Sequence, residues 1–325
     1  MHGKKPAIPE TLEVGEPQPG TVRYLATPDV AGQRLDQALA HLAGVPRRRA
    51  RVLIEEGRLW LNTKTTRVLS RPLRLGDVLD VVPSGDDVRP GVGPPPPLPI
   101  LYEDRWLIAV DKPAGLTTQP PLRRAPGELT AHERLLLQLA ARDGGRREVL
   151  LFHRLDRLTT GVLVFARHHD AARGLTKVWG TPAVRKRYLV VVSGDPGAET
   201  KTFDGAIAHD ALVPGRYRVA RGGKPAATRV RRLARFDSWS LVEASPLTGR
   251  THQVRVHLAE AGFPVAGDSL YGGSGGVPRP FLHAWRLSFP HPRGGPLLRL
   301  TAPVPPDMAG FLAAHGFPAE ALVTT

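Results

Sequence analysis

Near the middle of the chain two apolar runs, Val149-Leu150-Leu151-Phe152 and Val162-Leu163-Val164-Phe165, enclose a polar stretch, His153-Arg154-Leu155-Asp156-Arg157-Leu158-Thr159-Thr160-Gly161. Continuous β-branched and aromatic runs of this length suit buried strands, so both flanks are expected as strands and the polar stretch as their crossing at a sheet end or edge. Upstream, Leu35, Ala38, Leu39 and Leu42 recur at helical spacing and Gly44 ends the run. This pattern predicts a short amphipathic helix with a C-terminal glycine. A second helix is expected after Pro46, burying Ala50, Leu53 and Ile54 and ending at Gly57, with Arg47, Arg48, Arg49 and Arg51 on its other side. Leu59 to Asn62 and Val78 to Val82 read as strands, with a turn at Gly76-Asp77.

Between Ser84 and Pro99 the chain becomes rich in Pro and Gly, a composition that favours an extended spacer. Beyond it, Ile100-Leu101-Tyr102 and Trp106 to Val110 predict strands, and Lys112-Pro113-Ala114-Gly115 fits a turn with Pro second and Gly fourth. Thr130 and Glu133 predict a capping box for a helix burying Leu135, Leu136 and Leu139 and ending near Gly144. A further helix is expected from about Asp170 to Trp179, and strands at Leu189 to Val192 and Ser240 to Ala244. Residues 195–235 alternate turns with basic segments and yield no firm element. Val254, Leu258 and Ala261 have helical spacing before Gly262 and Pro264, so a helix is expected from near Thr251. The division that follows is a tail over 1–20, a small domain over 21–84, a linker over 85–99 and a larger domain over 100–325.

Charge narrows the partner class. The 325 residues carry 45 Lys and Arg against 30 Asp and Glu, a formal net charge of +15, and such a field attracts polyanions, nucleic acid first. No apolar run approaches the ~18 residues of a membrane span, and no basic amphipathic helix with a bulky aromatic face stands out, so a membrane partner is not expected. The absence of cysteine excludes disulfides, thiolate metal sites and cysteine nucleophiles. The first residues lack the apolar core of a secretory signal, and a cytoplasmic location is expected.

Asp156 lies between Arg154 and Arg157, whose guanidinium groups favour its charged form. That suits a nucleophile, and equally a structural Arg–Asp bridge in a tight connection. The arginines after Pro46 fit either phosphate contact or a solvated helix face. Tyr188, behind Arg185-Lys186-Arg187, is either a core tyrosine of the sheet or an aromatic surface for an unstacked base. His252 and His257 fall off a common helical face with no carboxylate between them, so no metal site is expected.

His153-Arg154-Leu155-Asp156 followed by Thr159-Thr160-Gly161 resembles the catalytic motif of the RluA-type pseudouridine synthases, though that family usually has an acidic residue where Leu158 stands and Ser where Thr160 stands. Asp111-Lys112-Pro113-Ala114-Gly115, Lys186-Arg187-Tyr188, the segment Leu247 to Leu258, Gly267-Asp268-Ser269-Leu270-Tyr271-Gly272 and Leu282-His283-Ala284 continue the likeness over residues 100–303. The Arg34-Leu35-Asp36 opening, Glu56-Gly57-Arg58-Leu59 and Gly76-Asp77 resemble an S-four-like RNA-binding domain, with Pro46 for the usual Ser and Asn62-Thr63 for the usual Asn-Gly.

The resemblance implies an α+β catalytic domain on a mixed, largely antiparallel sheet flanked by helices, preceded by a small α/β RNA-binding domain. It implies isomerisation of uridine in structured RNA to pseudouridine, with Asp156 as nucleophile or charge stabiliser, Arg255 as its ion-pair partner and Tyr188 as stacking surface. Arg154 would fill the gap left by the extruded base, Val254 would line the base pocket, and His153, Arg47, Arg48 and Arg51 would contact RNA. No cofactor, metal or nucleotide is implied. Ribosomal RNA is favoured over transfer RNA as target, and a monomer over an oligomer. Two competing classes are a non-catalytic RNA-binding assembly factor with the same fold and a carboxylate-based hydrolase. Hydrolysis would call for a second carboxylate, which the matched motifs do not place beside Asp156.

Overall fold

The computed structural model describes residues 20–83, 95–120 and 128–317; all but the last residue of the expected tail, most of the linker and the final residues lie outside these. Contacts divide the chain into two compact units, Met1–Leu98 with Gln119–Val149, and Pro99–Thr118 with Leu150–Thr325. The segment Gln119–Val149, which holds the helix over Ala131–Asp143, groups with the first unit.

In the first unit, β1 (Val22–Leu25), β2 (Leu59–Leu61), β3 (Lys64–Thr65) and β4 (Val78–Val81) form an antiparallel sheet in the order β1-β4-β2-β3. Helices α1 (Leu35–Ala43) and α2 (Arg47–Glu55) pack on it through Leu35, Leu39, Leu53 and Ile54, all fully buried. Gly44 ends α1 in the left-handed conformation that only glycine adopts without cost. Helix α3 (Ala131–Asp143) opens with both halves of the Thr130–Glu133 capping box, and its Leu137 and Ala140 pack against Leu25 and Val78. The β2–β3 hairpin turns on Asn62 and Thr63 at φ 51° and 71°.

The second unit is built on a nine-stranded sheet. Its strands are β5 (Ile100–Glu103), β6 (Leu107–Lys112), β7 (Thr160–Ala166), β8 (Arg185–Ser193), β9 (Lys201–Asp204), β12 (Ala227–Phe236), β13 (Trp239–Pro246), β14 (Leu282–Pro290) and β15 (Leu297–Thr301), while β10 (Ile207–His209) and β11 (Tyr217–Val219) form a separate hairpin. The sheet order is β5-β6-β7-β14-β8-β13-β12-β9, with β15 also on β14, and every pairing is antiparallel except β7 with β14. Helix α4 (His169–Val178) buries Ala171 and Leu175, α5 (Gln253–Glu260) packs Val254 and Leu258 on the face carrying Val190, Val192 and Val242, and α6 (Pro306–Ala314) packs Met308 and Leu312 with Leu189, Val191 and Leu241 on the other.

Two expectations change. Val149 to Phe152 is not a strand: only Leu150 bridges to Ala166, and the next free N–H on that edge of β7, Val164, donates to the His153 ring at 2.9 Å. A side chain thus takes the place of a strand. The segment 227–236, left unassigned above, is the long strand β12, burying Thr228 and Val230 between exposed Arg229 and Arg231.

Candidate active site

Asp156 sits in the connection that enters β7, and backbone anchors fix that connection. Thr118 Oγ1 donates to Leu155 O at 2.8 Å and accepts the Leu155 N–H at 3.1 Å. Lys112, with no exposed surface, spreads its ammonium over the carbonyls of Pro113, Leu116 and Arg157 at 2.8, 2.8 and 3.1 Å. Three acceptors call for three N–H donors, so this geometry holds the charged form. Burial nevertheless pulls the Lys112 pKa down to about 7, with Asp156 and Asp111 opposing the fall and Arg279 adding to it. Gly115 donates its N–H to Arg157 O, and Arg157 Nε donates back to Gly115 O at 3.0 Å. Arg279, paired bidentately with Asp307, reaches Leu158 O at 3.4 Å. The carbonyls on both sides of Asp156 are thereby held from outside the loop.

The parallel contact of β7 with β14 brings these strands very close. A Cβ on Gly161, at φ 109°, would stand 2.2 Å from Ala284 O. One residue earlier, the Thr160 hydroxyl and His283 Nδ1 are 2.8 Å apart, a bond that either Ser or Thr could make. The departure at Thr160 therefore leaves this contact intact. Leu158, the other departure, is 40% exposed, and its carbonyl meets Arg279.

Across from the loop, Arg255 on α5 points one nitrogen, Nη1, at Asp156 Oδ2, 3.5 Å away. Its two short bonds go elsewhere: Nε and Nη2 meet the Asp268 carboxylate at 2.6 and 2.8 Å. Burial works against the guanidinium, but the bond and charge of Asp268, with Asp156 behind it, raise its pKa. The Arg255 guanidinium also lies 4.9 Å from the Tyr271 ring centre. Asp268 is buried, and Gly267 before it has no room for a side chain, since a Cβ there would meet Arg279 O at 2.2 Å. The motif around Asp268 was visible in the sequence; its pairing with Arg255 was not.

Tyr188 lies on the sheet face that carries Val190 and α5, in one apolar cluster with Val254. Burial, and then the negative charge of Asp156, push its phenol pKa well up, so it is neutral at physiological pH. Arg154 is exposed beside the loop, and its charge is felt at His252. His252 caps α5 in the left-handed region at φ 55° and brings Nε2 to 3.9 Å from Asp156 Oδ2. The structure thus gathers Asp156, Arg255, Tyr188 and Val254 at one place, with Arg154 at its edge, and adds Asp268 and His252.

His153 lines a cavity together with Tyr188, and its ring is engaged by the sheet: Nε2 accepts the Val164 N–H and the ring lies 4.4 Å from that of Trp179. His257 is also accounted for by structure, with Nδ1 at 2.9 Å from Thr228 Oγ1 and Nε2 at 3.0 Å from Gly205 O. In the first unit, Arg47 is drawn to the buried Asp36, with Nη2 2.8 Å from its carboxylate, and Arg34 pairs with the same group. Arg48 and Arg51 remain exposed on α2, Arg51 at 4.0 Å from Glu55.

Residues 106–260 match the family model described as RNA pseudouridylate synthase, and residues 33–79 match the S4 domain. Ribosomal large subunit pseudouridine synthase D of Nitrosomonas europaea is 34% identical over 330 residues, which cover 95% of this chain and 92% of that protein. Ribosomal large subunit pseudouridine synthase C of Pasteurella multocida is 33% identical, covering 88% of this chain and 91% of its own. The solved structure of human RNA pseudouridylate synthase domain containing 4 aligns at a TM-score of 0.56 and 26% identity over 68% of this chain and 94% of its own. The chain belongs to the RNA pseudouridylate synthase family. It is an isomerase of RNA uridine that carries an S4 domain ahead of its catalytic sheet. None of its helices, among the described residues, is long and apolar enough to cross a membrane.

Proposed function

We propose that this enzyme converts a uridine of large-subunit ribosomal RNA to pseudouridine, in the cytoplasm and as a monomer, with Asp156 as the catalytic carboxylate. The observation that carries the proposal is Asp156 itself: a carboxylate on a loop anchored at neighbouring carbonyls, facing Arg255 at 3.5 Å and Tyr188 on the sheet. The relatives named for the large ribosomal subunit support the choice of RNA.

The reaction breaks the bond from N1 to C1′ of the ribose, turns the uracil and joins C5 to C1′. C5 gives up its proton and N1 gains one, so atoms balance without any co-reactant. A target base inside a helix must first leave the stack, at a cost of about a few kcal/mol. Tyr188 offers the extruded base an aromatic face and Val254 an apolar wall, while Arg154 fills the space it leaves. Asp156 then acts at ribose or base as nucleophile or charge stabiliser, oriented by Arg255. On the small domain over 21–84, Arg48 and Arg51 meet phosphates, and Arg47 does so while tied to Asp36. Residues 100–325 supply the catalytic domain.

The test is to map pseudouridine in unmodified large-subunit ribosomal RNA and in unmodified transfer RNA after incubation with the purified enzyme. A new pseudouridine in the ribosomal transcript alone is expected. Modification confined to transfer RNA would overturn the choice of substrate. Deleting the first domain is a poor test of its RNA contacts, because Leu137 and Ala140 of α3 pack against it. Arg48→Ala is cleaner, and should weaken RNA binding and reduce the slope of log affinity against log salt by roughly 1.

A further inference from the structure

His252 is a group beside Asp156 to which the roles above give no work. Its ring is held from behind: Nδ1 lies 2.9 Å from the Tyr271 hydroxyl, and that oxygen also accepts the backbone N–H of Tyr217 at 2.9 Å. A phenol oxygen that has accepted one proton still has its own to give, and Nδ1 is the acceptor in reach. A neutral imidazole bonded in this way carries its hydrogen on Nε2. Burial favours the neutral ring and outweighs the pull of Asp156 toward the charged one.

Nε2 faces Asp156 Oδ2 across 3.9 Å, beyond a hydrogen bond, and no described residue offers it a closer partner. A fixed donor and a fixed acceptor thus confront each other over a gap that one oxygen, about 2.8 Å from each, would close. That oxygen must both accept from Nε2–H and donate to the carboxylate. A hydroxyl does both, and so does the ribose 2′-hydroxyl of the reacting nucleotide. The backbone at His252 supports a constrained role, since a side chain other than glycine at φ 55° is kept at some cost in strain.

We propose that His252 and Asp156 together hold the ribose 2′-hydroxyl of the target uridine, so that His252 makes the active site selective for ribose over deoxyribose. The proposal rests on the reading of Asp156 as the group that meets the target nucleotide. Tyr271 is the positioning residue that fixes the His252 tautomer.

The test uses the full chain and the mapped RNA, ligated to carry either uridine or a single 2′-deoxyuridine at the target position. Turnover is measured for wild type, His252→Asn and His252→Gly; Asn is among the residues best tolerated at positive φ, and Gly removes the strain altogether. The ratio of kcat/KM for the ribose over the deoxyribose substrate is expected to fall about tenfold in both variants, through loss on the ribose substrate alone. A ratio that stays at its wild-type value while both substrates slow together would overturn the proposal, because a purely structural role slows them equally. Asp156→Asn on the ribose substrate separates the two readings: turnover surviving in that variant defeats the reading of Asp156, whatever the His252 ratio does.

Discussion

Arg255 gives Asp268 two bonds, at 2.6 and 2.8 Å, and leaves Asp156 a single approach at 3.5 Å. The buried carboxylate of Asp268 therefore sets where the guanidinium stands, and Asp156 meets a charge already held in place. Asp268→Asn keeps the shape but removes the countercharge, freeing Arg255 to close on Asp156. A kcat loss on the order of 10²-fold with nearly unchanged RNA affinity is expected, as for a small misplacement of a reacting group. Single-turnover kinetics and an RNA-binding titration check it; a loss confined to affinity contradicts this role.

Thr118 holds both the N–H and the C=O of Leu155, one residue before Asp156, and is 3% exposed. Thr118→Val leaves both backbone groups without this partner, at a cost of about 1–3 kcal/mol each if they remain dry. Lower stability in urea and a fall in kcat are expected, and Thr118→Ser, which keeps the hydroxyl, should restore both. Damage in Thr118→Ser with Thr118→Val left intact would show that the methyl group, not the hydrogen bonds, matters.

His153 accepts the Val164 N–H through Nε2, so that nitrogen must be unprotonated in the folded protein. Burial, aided by Lys186, pushes its pKa down to about 3 from 6.5. Below pH 6.5 the unfolded chain takes up this proton and the folded protein does not, so stability falls as pH drops toward 3, by at most about 1.4 kcal/mol per unit from this group. His283, pushed down to about 4, adds to the fall over its own range. In His153→Gln the amide oxygen can still accept and does not titrate. Urea denaturation from pH 6.5 to about 5 should give a shallower stability slope in the variant; matching slopes would place the titration elsewhere.

Thr63 stands at φ 71° in the two-residue turn between β2 and β3, a position suited to glycine and costly for a β-branched residue. Thr63→Gly is expected to stabilise the protein by roughly 0.5–1 kcal/mol, after allowing for the extra freedom glycine gives the unfolded chain. Thermal unfolding checks this, and a lower melting temperature would contradict it.

Local signals carried much of the fold. The Thr130–Glu133 box, the glycine after α1 and the spacing of Val254 and Leu258 each specify structure within a few residues, and each is found where expected. Asp156, Tyr188 and Arg255 were legible because they stand in recognisable motifs. What depends on distant pairing was not legible. Nothing local to Asp268 says that it faces Arg255, nothing in Lys112 says that it reaches Arg157, and the positive φ of His252 follows from how α5 is entered. The run Val149 to Phe152 misled for the same reason: its composition suits a strand, but the edge it would pair with is partly taken by the His153 ring. In β12 the alternation of Thr228 and Val230 with Arg229 and Arg231 was a usable signal, obscured by its many arginines.

The most direct test of the catalytic role of Asp156 is tritium release from RNA labelled at C5 of uracil, because isomerisation must expel that hydrogen. Wild-type enzyme on unmodified large-subunit ribosomal RNA is expected to release tritium in step with pseudouridine formed, while Asp156→Asn binds the same RNA with similar affinity and releases none. Release by Asp156→Asn at the wild-type rate would contradict the account.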